Sequence, residues 1–311
     1  MEMDNRPSTD GGGLAPLPPT RRLHDPNESI FDQGLAFDLE TLMDRRQVIK
    51  LIGSAGVAAG LLSIIGCAPG AILGSASSSP STTSGTTTSS SSSASNAAAS
   101  CDTIPEETAG PFPGDGSNGP DVLSQSGVVR SDIRSSFGTA SGIAAGVPLT
   151  IKLAIQDQAN NCAPLAGAAV YIWHCDRDGA YSLYSNGATG ENYLRGVQAA
   201  GADGIVTFTS IFPACYSGRW PHIHFEVYSG LAKASSQANK IATSQIALPK
   251  DICDTVYATD GYSQSITNLA RVSLTSDNVF GDDGGVHELG TMSGTVAGGL
   301  IVELAVPVEA A

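Results

Sequence analysis

The run Arg219-Trp-Pro-His222-Ile-His224-Phe-Glu-Val-Tyr228 constrains this chain more than any other stretch. Side chains alternate faces along a β-strand, so His222 and His224 share one face while Ile223, Phe225 and Val227 share the other. The apolar face needs a core. The opposite face carries two imidazoles, with the phenol of Tyr216 upstream and the fixed cation of Arg219 between. Such a set suits a metal ion. It also suits a solvated sheet face with two half-exposed histidines, and the His-x-His spacing alone does not separate the two readings.

Alternation recurs over residues 148–156, 169–173 and 205–208, with Asp-Gly and Gly-rich breaks at hairpin-like intervals. Helical stretches are few, the best being 237–241 and 250–257. The pattern predicts an all-β domain over residues 101–311, a two-sheet sandwich with few short helices and with any metal ligands at strand ends and loops. About 211 residues suffice for one such core.

Upstream of the histidines lie Val170-Tyr-Ile-Trp-His174-Cys-Asp-Arg-Asp-Gly-Ala-Tyr181, then Leu194-Arg-Gly, then Asp203-Gly-Ile-Val-Thr-Phe, then Pro213-Ala-Cys-Tyr216. In this order the motifs resemble the intradiol ring-cleaving dioxygenases, non-haem iron(III) enzymes that open catechols and protocatechuate. Glu107-Thr-Ala-Gly-Pro111-Phe112 is similar to the segment that precedes that fold, and Thr243-Ser-Gln245-Ile to a Thr-x-Gln segment downstream of the histidines. The resemblance runs from Cys101 to residues 243–248, with a looser tail. It implies a β-sandwich of the intradiol type, with Tyr181 and Tyr216 as tyrosinate ligands and His222 and His224 as imidazole ligands of Fe(III). It gives Arg219 the part of stabilising a carbanionic substrate and puts Gln245 near the same pocket. The reaction implied joins a small aromatic diol and O2 to give a cis,cis-muconate-type diacid, with Tyr216 as the ligand that leaves when the diol binds. One departure stands out: only Ser217 and Gly218 separate Tyr216 from Arg219, a shorter loop than in better-known members. The shorter loop removes a wall of the pocket, so substrate identity does not carry over.

The donor types suit that chemistry. Phenolate and imidazole are harder than thiolate and match a ferric ion. A free tyrosine titrates near ~10, so a trivalent cation must drive its deprotonation. Two phenolates and a hydroxide would then neutralise the ion. Taken singly the residues have plainer readings: Tyr181 as a strand tyrosine at a turn, Tyr216 as packing, Arg219 as one half of a surface ion pair. His174 reads as a core histidine or one that supports the ligands, His287 as a surface loop residue, and Tyr171, Tyr184, Tyr193 and Tyr228 as packing. Two other classes remain. A cupin-like metal protein would want a glutamate four or five residues after His224, where Tyr228 and Ser229 stand. A non-catalytic surface module that binds sugars or a partner would not need the tyrosines.

The front of the chain concerns address. Residues 43–67 hold Arg45-Arg46, then an apolar Gly/Ala-rich run over 51–66, then Cys67. That run is short for a membrane span and reads as a signal segment. The twin arginine resembles the signal for exporting folded proteins, and Ile64-Ile-Gly-Cys67 resembles a bacterial lipobox. The expectation is an exported lipoprotein held by a lipid on Cys67, with a cleaved, secreted form as the alternative. Residues 1–42 are polar and Pro/Gly-rich. They read as a disordered extension or, with translation starting at Met43, as untranslated sequence. Residues 68–100 form a Ser/Thr/Ala-rich linker that cannot bury enough apolar surface to fold. Six cysteines fit export; with Cys67 lipidated five remain, so one or two disulfides and at least one free thiol are expected. Cys175 and Cys215 flank proposed ligands, but soft thiolates would favour ferrous iron or zinc. After Cys67 ten Lys and Arg face twenty-one Asp and Glu with no basic patch, which argues against a nucleic-acid partner and weakly favours a neutral catechol. Oligomeric state is not readable.

Overall fold

The computed structural model describes residues 101–310. The extension, signal segment and linker expected over residues 1–100 lie outside the described residues. Strands β1 (Pro148–Asp157), β2 (Ala163–Pro164), β5 (Ile205–Ile211), β8 (Thr291–Thr295) and β9 (Gly299–Val308) form one sheet. Its order is β2-β1-β9-β8, with β5 also pairing β1. Strands β1 and β9 run parallel, from Leu149 opposite Leu300 to Asp157 opposite Val308. Strands β3 (Ala169–Trp173), β4 (Arg195–Ala199), β6 (His222–Tyr228) and β7 (Lys240–Ala247) form a wholly antiparallel second sheet in the order β4-β3-β6-β7.

The sheets pack face to face over an apolar core. Ile151, Leu153 and Ile155 of β1 and Val302, Leu304 and Val306 of β9 meet Val170 and Ile172 of β3 and Ile223, Phe225 and Val227 of β6. Each such side chain contributes about 1.5–3 kcal/mol when fully buried, and this burial selects the register. A one-residue slip of β6 would drive its histidines into the core. The Asp203-Gly204 break is a turn, as expected. Gly204 has φ +75°, and a Cβ there would stand 2.6 Å from the Ile155 carbonyl, so the close approach of the strands requires glycine.

The far face of the second sheet is also covered. Tyr171, Trp173, Tyr228, Tyr181 and Tyr216 form a second buried cluster with Val122, Leu123 and Val128 of the N-terminal segment. That segment is tied down through its backbone: Ile104 N–H donates to the Pro307 carbonyl (2.8 Å) and Glu107 N–H to the Thr243 carbonyl (2.8 Å). The main fastener is Arg195 of β4, buried and giving five hydrogen bonds. They go to the Phe112, Pro113 and Ser182 carbonyls, the Ser182 hydroxyl and the Tyr171 hydroxyl, at 2.6–3.1 Å.

The all-β sandwich expected from the sequence is therefore present, and the four alternating runs are strands. The helix expected over 237–241 is corrected to a single 3-10 turn, Gln237–Asn239, because residues from Lys240 onward join β7. Helix α1 (Lys250–Tyr257) stands where expected; α2 (Ser263–Leu269) was not foreseen. Nor was β9, which lies centrally in the first sheet. Among the described residues no helix is long and apolar enough to cross a membrane. One disulfide, Cys101–Cys162, fastens the start of the domain to the turn after β1, while Cys175, Cys215 and Cys253 are buried free thiols. The bridge spans 61 residues of chain, a loop whose closure removes substantial unfolded-state entropy. Replacing Cys101 and Cys162 by alanine should lower the unfolding free energy by about 2–4 kcal/mol in urea titrations; an unchanged midpoint would show that the bridge does not stabilise the domain.

Candidate metal centre

Each expected ligand is delivered by a short local device. After β3 the chain turns at Asp176, whose Oδ1 accepts from Asp178 N–H (3.0 Å) and Ala180 N–H (2.9 Å). Tyr181 leaves that turn with its own N–H bound to the Ser185 hydroxyl at 2.8 Å. Tyr216 precedes a tight turn at Ser217-Gly218, and Gly218 adopts φ 84°, a left-handed conformation that makes so short a connection possible. His222 and His224 open β6, and the cross-strand row Trp173–His224–Gln245 sets the second histidine in the sheet's centre. The Trp173 and His224 rings stack in parallel, 4.9 Å between centroids.

The four side chains converge. The Tyr216 hydroxyl is 3.1 Å from His222 Nε2, which is 3.1 Å from His224 Nε2. The Tyr181 ring stands 6.0 Å from Tyr216 and 6.3 Å from His224, centroid to centroid. Both histidines are 2% exposed, Tyr181 2% and Tyr216 8%, which removes the reading of half-exposed histidines on a solvated face. His222 Nδ1 lies 2.5 Å from the Trp220 carbonyl, so Nδ1 carries the proton and Nε2 turns its lone pair inward. Burial, and next the Arg219 charge for His222 and the neighbouring imidazole for His224, hold both histidines well below their ordinary pKa, hence neutral. Burial, reinforced by the Tyr216 phenol, pushes Tyr181 well above its ordinary value. Its hydroxyl is buried with no hydrogen-bond partner, as is His224 Nδ1.

This donor set fits a ferric ion. Two nitrogens each about 2.1 Å from one ion and near right angles to each other would be about 3.0 Å apart, close to the separation found. A buried phenol without a partner is a cost of about 1–3 kcal/mol that a cation would relieve. Two imidazoles and two phenols make a hard N/O set. Among the described residues no three His, Cys, Asp or Glu side chains gather to hold a metal; here half the donors are tyrosines.

Arg219 and Gln245 are brought to the same place. Arg219 Nη2 donates to Gln245 Oε1 (2.8 Å), and Gln245 Nε2 donates to the Thr108 carbonyl (2.9 Å). Arg219 does not pair on a solvated face: it is buried and bonded through Nε to Asp277 at 3.0 Å. His174 is buried on the other side of β3's end, bound to the Cys175 carbonyl and the Ser210 hydroxyl at 2.7 Å each, and burial lowers it to about 4. His287 is exposed. The Cys175 and Cys215 thiols donate to the Ala214 and Arg219 carbonyls, and burial pushes Cys215 up to about 12 and Cys175 well above its ordinary value. Sequence reasoning missed Arg195, Asp277 and Glu288, a wholly buried carboxyl pushed by burial, then by Glu107, up to about 9. The Arg-Gly pair was the one available signal for Arg195; Asp277 and Glu288 carry none.

Residues 118–224 match the model of a dioxygenase family, a span that holds all four donors and Arg219 and ends at His224. Among solved structures, an intradiol ring-cleavage dioxygenase from Tetranychus urticae is 24% identical, with 68% of this chain and 96% of that chain covered and a TM-score of 0.52. A second dioxygenase has the same identity and coverage with a TM-score of 0.54. The dioxygenase domain of a dioxygenase–carbohydrate-binding fusion from Streptomyces sp. SirexAA-E is 24% identical, covering 68% of this chain and 100% of that one, with a TM-score of 0.43. No curated protein matches the chain. The first two likenesses show the fold, and the resemblance read from the motifs to the intradiol ring-cleavage dioxygenases stands.

In metal-free protein, Tyr181→Phe deletes a buried hydroxyl that has no partner. Thermal unfolding should therefore show unchanged or higher stability, by up to about 1–3 kcal/mol, while ferric-ion affinity falls at least about tenfold. A destabilised metal-free variant with undiminished iron affinity would contradict this account of the donor set.

Proposed function

We propose that this chain, similar in sequence and fold to the intradiol ring-cleavage dioxygenases, is a non-haem iron(III) enzyme. It would open the ring of a catechol-type diol with O2 to a cis,cis-muconate-type product. The observation that carries the reading is the convergence of Tyr181, Tyr216, His222 and His224 in a buried site beside a buried guanidinium. A ferric ion held by these four residues would supply Lewis acidity and draw electron density from the diol.

The chain's own residues do the rest. The two neutral imidazoles stay bound without competing for protons. Tyr216 is the least buried of the four donors, and its connection to Arg219 is a two-residue turn. As a tyrosinate it would be the donor best placed to let go and to take a diol proton on its phenolate oxygen. Tyr181, fixed behind the Asp176 turn and beside Phe112 at 5.0 Å between centroids, keeps its place. Arg219 offers preorganised positive charge where negative charge develops on the ring, and burial keeps water from screening it. Gln245 acts through Arg219 rather than on the substrate.

The address is part of the same proposal. A disulfide at the domain's start supports folding or storage in an oxidising compartment. The twin arginines, apolar run and Cys67 support export and a lipid anchor. Cys67→Ser should move the protein from the membrane fraction to the soluble fraction of the producing cell; an unchanged distribution would rule the anchor out.

The reaction is tested with iron-loaded protein, catechol and 18O2. One O2 should be consumed per catechol, and both labelled atoms should be found in a diacid product by mass spectrometry. His224→Ala should lower the rate at least about 100-fold. A semialdehyde product, or no uptake by a stoichiometrically iron-loaded protein, would contradict the reading.

A further inference from the structure

The segment after α2 was the least legible part of the chain, yet it holds Arg219. Arg219 and Asp277 are 1% and 0% exposed, with Nε–Oδ2 at 3.0 Å. The same Oδ2 accepts the Trp220 N–H at 2.6 Å. Its partner Oδ1 accepts from Val279 N–H (2.9 Å) and Phe280 N–H (3.1 Å), so the carboxylate also shapes its own turn. That turn sets the Phe280 ring 6.0 Å from the Arg219 guanidinium carbon and 6.5 Å from the His222 ring. The Trp220 backbone is therefore gripped on both sides of its Cα: its N–H by Asp277 and its carbonyl by His222 Nδ1 at 2.5 Å.

A buried ion pair is weak evidence for stability, because desolvation offsets much of its attraction. Four N–H groups ending on one carboxylate call for another explanation. Arginine carries about 2 kcal/mol of rotamer entropy, and a cation that acts on a transition state is effective only where it is already in place. Asp277 holds the Nε edge of the guanidinium and Gln245 the Nη2 group.

We propose that Asp277 is the positioning residue for Arg219: its carboxylate fixes the cation beside the ligand cluster before substrate arrives. The inference rests on the reading of the site as an intradiol centre. Asparagine keeps the shape of Asp277 but can accept on one side only, so it must abandon either the turn or the guanidinium.

Full-chain, iron-loaded Asp277→Asn should keep its iron while kcat for catechol falls roughly 10- to 100-fold with a smaller change in KM. In an Arg219→Gln background the same substitution should change kcat by less than about twofold. A second readout needs no iron: in 15N-labelled metal-free protein the Arg219 Nε–H signal, identified by its loss in Arg219→Gln, should be protected from exchange and should lose that protection in Asp277→Asn. An equal fall in kcat in both backgrounds, or an Nε–H signal indifferent to the substitution, would overturn the proposal. If Asp277→Asn does not fold, Asp277→Glu takes its place in both measurements, and the same results support or overturn the proposal. A wild-type protein that takes up no iron or leaves catechol intact would sink the intradiol reading, and the exchange measurement would still decide whether Asp277 holds Arg219.

Discussion

On strand β6, Ile223, Phe225 and Val227 pack into the core between the sheets, while His222, His224 and Glu226 face a second layer made of loops. All seven residues of the strand are buried. Polar groups buried on a sheet face must find partners, at about 1–3 kcal/mol for each one that does not. Glu226 finds Tyr228 and Lys240, and burial raises its carboxyl to about 7. The imidazoles find each other and Tyr216. The layer that buries them is fastened by Arg195, whose five hydrogen bonds tie the N-terminal segment and the Tyr181 loop onto β4.

That arrangement divides the domain by task. The inter-sheet core is apolar and supplies stability. The covered outer face leaves the Tyr181 hydroxyl, the Trp173 indole N–H and His224 Nδ1 without partners. Unsatisfied buried groups are an energetic liability by themselves, and they cluster where function needs them. A cation among the four donors would remove part of that cost and make the tyrosines' proton loss favourable, which would couple metal binding to local stability.

Period-two alternation of apolar and polar side chains made β6 legible although all its residues are buried, since Ile223, Phe225 and Val227 line the apolar core while His222, His224 and Glu226 face the layer of loops. Ordered motifs made the four donors, Arg219 and Gln245 legible, and the structure places them together. Strand β9 escaped because nothing after residue 228 was read as strand. The 237–241 segment misled because its short-range pattern fits a turn of helix, whereas pairing with β6 decides the conformation from Lys240 onward. Arg195 and Asp277 escaped for a common reason. Each acts by bonding to groups distant in sequence, Asp277 across 58 residues and Arg195 across up to 83, and such partners leave no local trace beyond the Arg-Gly pair at Arg195.

The central claim, that two tyrosines and two histidines hold one ferric ion open to a diol, is tested most directly by visible absorption with metal analysis. Purified protein would be loaded with ferric ion and its spectrum taken before and after anaerobic addition of catechol. The account predicts one iron per chain and a broad phenolate-to-iron(III) band that moves to longer wavelength when catechol binds. A protein that stays colourless with ferric ion, or that holds only zinc or copper, would contradict it.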